Sequence, residues 1–121
     1  MKTLPILLGA LALWSVALLP VQADDYYGKQ KVVYHINYDD AKQQDAALRN
    51  VRNHIDAVGA DNVEIKIVLH GPGIDLLKRA NGEEALQTQI AGLKGQNASF
   101  AVCNNTLKAK KLDYEKDLYD T

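Results

Sequence analysis

From Lys31 onward the chain alternates between two spacings of hydrophobic residues. Lys31-Val32-Val33-Tyr34-His35-Ile36-Asn37 is β-branched, aromatic and nearly continuous in apolarity, which predicts a strand buried on both faces. Asp40 followed by Gln43 has the spacing of a capping box and starts a helix. Its apolar stripe runs through Leu48, Val51, Ile55 and Val58, and Gly59 stops it. Asn62 to Leu69 predicts a second strand, with Val63, Ile65, Ile67 and Leu69 on one face. Glu64, Lys66 and later Val68 occupy the other face, as in a strand near a sheet edge or covered on one side only.

His70-Gly71-Pro72-Gly73 then makes a tight loop, and Ile74 to Arg79 a short helical turn. Asn81 with Glu84 repeats the capping-box spacing ahead of a stripe of Leu86, Ile90 and Leu93, closed by Gly95. Ser99 to Cys103 predicts the third strand, and a helix starts at Leu107 after Asn104-Asn105-Thr106. The tail from Lys110 to Thr121 is charged, contains tyrosines and has no clear period. The order β-α-β-α-α-β-α, without internal repeats, predicts an α/β protein: a three-layer α/β/α arrangement around a mainly parallel sheet. Three strands leave exposed edges for further strands or a partner to cover.

Ahead of this lies a segment of another kind. Lys2 precedes an uncharged apolar stretch from Leu4 to Leu19; Pro20 breaks it, and Val21-Gln22-Ala23 sets small residues where a signal peptidase reads. We expect a signal peptide over residues 1–23, cleaved after Ala23, a periplasmic destination, and one domain over 24–121. The run is short for an uncleaved span, which needs about 20 apolar residues. Removing Lys2 makes the net charge of −1 one unit more negative. No basic stripe exists to release counterions from phosphates, which argues against nucleic acid and against anionic membranes as partners. A domain this small buries only about two-thirds of its unfolded surface, so a homo-oligomer is expected.

The single cysteine narrows the chemistry. An exported domain of this size often staples itself with paired cysteines, yet Cys103 has no partner in the chain. It is a buried bystander, an intermolecular linker or a reactive thiol. Topology favours the last, because ligands of open parallel sheets bind at the carboxyl ends of the strands. The first strand ends at His35-Ile36-Asn37, the second at His70-Gly71 and the third at Cys103-Asn104. Cys103 also precedes a helix, whose free N–H groups favour the thiolate.

The histidines differ among themselves. His70 adjoins glycines that let the backbone turn and offer N–H groups to an anion. His35 lies within an apolar strand and reads better as a satisfied core histidine, while His54 has no assigned role. His35, His70 and Cys103 are acceptable ligand types for zinc or copper but lack the close spacing of recognisable sites, so no metal is expected. The acidic, glycine-free loop Asn37-Tyr38-Asp39-Asp40 would repel the phosphate of a flavin or nucleotide. No cofactor is expected.

Taken together, Val32-Val33-Tyr34-His35-Ile36, Val68-Leu69-His70-Gly71-Pro72-Gly73 and Phe100-Ala101-Val102-Cys103-Asn104-Asn105-Thr106-Leu107 resemble the DsrE/DsrF-like sulfur-relay family, and within it the exported branch of small periplasmic proteins. The resemblance spans about Lys31 to Thr121. It implies a flavodoxin-related α/β/α fold, assembly into dimers, trimers or hexamers, and a cysteine that accepts sulfane sulfur as a persulfide and passes it to a partner protein. By position Cys103 is the acceptor. His70 is placed to assist, with Asn104, Gly71, Gly73 and His35 as the surrounding binding residues. Two departures stand out. Asn104 occupies a position where relatives often carry glycine, which narrows access to the thiol. Relatives also continue past the Asp117-Leu118-Tyr119-Asp120 region with a helix and a strand, so the domain reads as a shortened member. The alternative is a non-catalytic oligomeric binding or assembly subunit whose cysteine is structural.

Overall fold

A computed structural model describes residues 28–120; the expected leader and its cleavage site lie outside the described residues. Strand β1 (Gln30–Ile36) leads into helix α1 (Ala41–Val58). A 3-10 turn (Ala60–Asn62) precedes β2 (Val63–Leu69), and a second (Gly71–Ile74) runs directly into α2 (Asp75–Ala80). Then follow α3 (Glu84–Lys94), β3 (Ala98–Val102), α4 (Asn104–Lys110) and a short α5 (Tyr114–Asp117). The sheet has the order β1-β2-β3 and is parallel throughout, pairing Ile36 with Leu69 and Leu69 with Val102. The chain is therefore a mixed α/β protein with an all-parallel sheet flanked by helices, in agreement with the expected α/β class.

Local chemistry sets the helix limits. The Asp40 carboxylate accepts from the Gln43 N–H at 2.8 Å, satisfying one orphan donor at the start of α1. At the other end Gly59 has φ +86° and donates its N–H to the Ile55 carbonyl, a geometry that favours glycine. The stripe of α1 is buried at Leu48, Val51 and Ile55, and Gln44 extends it by one turn. The Gln44 amide is held there by donating to the Tyr38 carbonyl at 2.8 Å. The second expected capping box does not form. Asn81 instead donates its side-chain amide to the Asp117 carbonyl, and α3 starts without a side-chain cap.

The layers are unequal, and one expectation for the strands changes accordingly. β2 is the central strand and is covered on one side only, the second of the two readings its sequence offers, whereas β1 is an edge although it reads as doubly buried. Val63, Ile65, Ile67 and Leu69 are fully buried beneath the helices, joined by Ile36 and Ala98. On the other face Lys31, Val33, His35, Glu64, Lys66 and Ser99 are exposed, Val33 to 66 %. The polar residues of β2 thus mark a face left open, rather than a place at the margin of the sheet.

The tail is better organised than its sequence suggests. Leu118 is buried in the core and the Tyr119 N–H donates to the Leu77 carbonyl at 3.1 Å, docking the chain end on α2. Among the described residues no helix is long and apolar enough to cross a membrane.

Candidate functional site

At the carboxyl edge of the sheet the ladder continues past the strand ends. The His70 N–H donates to the Ile36 carbonyl at 3.0 Å, and the Cys103 N–H to the Leu69 carbonyl at 2.9 Å. Side chains alternate across a strand, so His70 follows Val68 and Cys103 follows Ala101 on the open sheet face. His35, opposite Val68, lies one row back on the same face. Its ring centroid is 5.5 Å from that of His70, with the planes tilted by 37°.

The structure corrects the reading of His35 as a core histidine. It is exposed, because β1 buries only the face carrying Val32, Tyr34 and Ile36. The protein-satisfied histidine is His54, whose ring nitrogens lie 3.1 Å from the Tyr34 hydroxyl and 3.1 Å from the Gln30 side-chain oxygen.

Cys103 is half-buried and occupies the N-cap of α4 in extended geometry. Its thiol pKa is lowered from 9.0 first by the Thr106 hydroxyl, then by the Thr106 N–H, with a smaller contribution from the Asn105 N–H; partial burial opposes them. Thr106 is itself buried and also receives the Gly71 N–H at 2.9 Å. The Gly71 amide donates to the Thr106 oxygen, and that same hydroxyl is the largest influence holding the thiol pKa down. Thr106 is the functional residue that sequence reasoning passed over. The signal was there, since Thr106 stands three residues after a helix-capping cysteine, one turn from it.

The two glycines have different duties from those expected. Gly71 takes φ +53°, a left-handed conformation that glycine adopts without strain, and its N–H is engaged by Thr106. The Gly73 N–H is engaged by the His70 carbonyl, and a Cβ at Gly73 would overlap the Ile36 carbonyl oxygen. Both amides hold the loop against its neighbours. Asn104 is exposed at the first position of α4, beside the thiol. Among the described residues no group of three or more His, Cys, Asp or Glu is assembled to hold a metal ion.

Fold and site together define a small parallel α/β protein that presents one activated thiol and two exposed imidazoles at the carboxyl edge of its sheet. No family model, curated protein or solved structure matches the chain.

Proposed function

We propose that this chain is a periplasmic sulfur carrier of the DsrE-like kind, handling sulfane sulfur through a persulfide on Cys103. The observation that carries the reading is the half-buried Cys103 at the N-cap of α4, one turn from a buried Thr106 whose oxygen receives the Gly71 N–H, surroundings that favour a thiolate on a reachable sulfur. The thiolate attacks the outer sulfur of a persulfide or polysulfide donor. The donor's S–S bond breaks, its electron pair leaves on the donor thiolate, and a new S–S bond forms on Cys103. No external oxidant or reductant is required. In the reverse sense, an acceptor protein's thiolate takes the outer sulfur and returns Cys103 as thiolate. His70 neighbours Cys103 in the sheet register, and its imidazole would take up the proton of a protonated Cys103 before the attack.

Exposure to polysulfide should add one sulfur, about 32 Da, to the intact protein, removable by reductant and absent in Cys103→Ala. An unmodified wild-type chain under conditions that alkylate its thiol overturns the reading. That result would favour the alternative, an assembly or binding subunit in which the cysteine only caps a helix.

The homo-oligomer belongs to the same proposal. It is supported by the open sheet face, because parallel sheets are normally covered on both sides. Lys31 and Glu64 lie side by side there in register with Val33 and Lys66, a mixed-charge patch around an apolar centre suited to a second copy of itself. Val33→Asp should convert the assembly to monomer in sedimentation; a monomeric wild type refutes this part alone.

A further inference from the structure

His35 and His70 are exposed residues whose rings lean together, and among the described residues neither ring hydrogen-bonds to the protein. The contrast with His54 is informative. There both ring nitrogens have protein partners, as expected of a histidine with a structural duty. The other two come from adjacent strands, lie on one sheet face and meet ring to ring with their nitrogens uncommitted.

We infer that His35 and His70 form a two-imidazole site for a first-row divalent cation of the nickel, copper or zinc type. Two imidazoles on one such cation, with metal–nitrogen bonds of about 2.1 Å, hold their ring centroids roughly 4.5–5.3 Å apart for angles between right and tetrahedral. The observed 5.5 Å lies just outside that range, and side-chain rotation of the two exposed residues is what brings one nitrogen of each ring onto a shared cation. The backbone need not move, because the register of β1 on β2 and the His70 N–H bond to Ile36 already fix both Cα positions. Imidazole nitrogen suits these borderline cations better than calcium or magnesium, which prefer oxygen. Two protein ligands leave the remaining positions to water.

The full chain is titrated with Ni2+ alone, which avoids the thiol oxidation that copper would bring, and binding is read by calorimetry. The wild type should bind one ion per chain. His35→Ala and His70→Ala should each weaken binding roughly tenfold or more, since each removes the chelate partner of the other. Cys103→Ala should bind as the wild type does. All three positions are at least partly solvent-exposed, and unchanged melting curves verify the fold of each variant. Wild-type affinity in either histidine variant overturns the inference. Loss of binding in Cys103→Ala with retention in His35→Ala also overturns it, assigning the ion to the thiol. The persulfide reading has a separate readout in the mass of Cys103, so either can fail without the other.

Discussion

Valine in place of Thr106 keeps the shape of the side chain and removes one oxygen. In the native protein that oxygen receives the Gly71 N–H at 2.9 Å, and the hydroxyl it belongs to is the largest influence lowering the Cys103 pKa. Two consequences follow, with separate readouts. The Gly71 amide loses its acceptor beside a residue only 7 % exposed. A hydrogen bond is worth about 1 kcal/mol net, and a stranded buried donor costs about 1–3 kcal/mol. Gly71 itself is only partly buried, so water compensates and the lower end applies. About 1 kcal/mol lowers the Tm of a domain this size by roughly 4–8 °C. The second consequence concerns the sulfur. The largest influence lowering the Cys103 pKa disappears, so the thiol shifts back towards its ordinary value and less thiolate exists at neutral pH. Circular-dichroism melts measure the first, and the rate of iodoacetamide alkylation against pH measures the second. Thr106→Ser should restore the alkylation profile. A Thr106→Val protein that melts with the wild type and alkylates along the same pH curve refutes both roles given to the Thr106 hydroxyl.

Gly73→Ala forces a methyl group into the Ile36 carbonyl, a backbone atom that cannot rotate away. The expected loss is about 2–3 kcal/mol or more, read as a lower urea midpoint at unchanged slope. Leu118→Ala empties a core position in the tail and should cost about 2–4 kcal/mol by the same measurement; an effect below about 0.5 kcal/mol would show that the tail is not docked. Cys103 also links stability to pH. Its folded pKa lies below its unfolded value, so the unfolded chain binds more protons between the two, and this contribution grows as pH rises towards 9.0. It is lost as pH falls through the folded pKa, and Cys103→Ala should flatten the rise in chemical-denaturation series across that window.

The parts of the fold that rest on short-range chemistry were legible in the sequence. Asp40, the Leu48–Val51–Ile55 stripe and Gly59 define α1 almost by themselves, and the alternation of elements dictates the parallel sheet. Strand order was not legible. Val33 and His35 read as interior because β1 is rich in β-branched and aromatic residues, yet which faces receive a helix depends on the direction of both crossovers. The Asn81 cap failed because the preceding helix runs up to it, making Asn81 the C-cap of α2, and the N-cap of α3 falls two residues later, at Glu83. The tail had no period because its anchors are scattered single contacts: Leu118 in the core, the Tyr119 N–H on Leu77, the Asp117 carbonyl on Asn81 and Asp120 on Lys94. At the site, topology brought His35, His70 and Cys103 to one edge. Thr106 was missed because its second partner, Gly71, lies 35 residues away in sequence.

The loop after β2 touches each of its neighbours. His70 ties it to the end of β1, Gly73 presses on the same carbonyl, and Gly71 fastens it to the helix that carries the cysteine. These ties lie in series, so the loop cannot lift away from the sheet without releasing Thr106. Any event that pulls on Gly71-Pro72-Gly73, such as the docking of another protein, therefore changes how firmly the sulfur holds its negative charge. The Gly71–Thr106 bond is thus the point at which the loop reaches the helix that Cys103 caps.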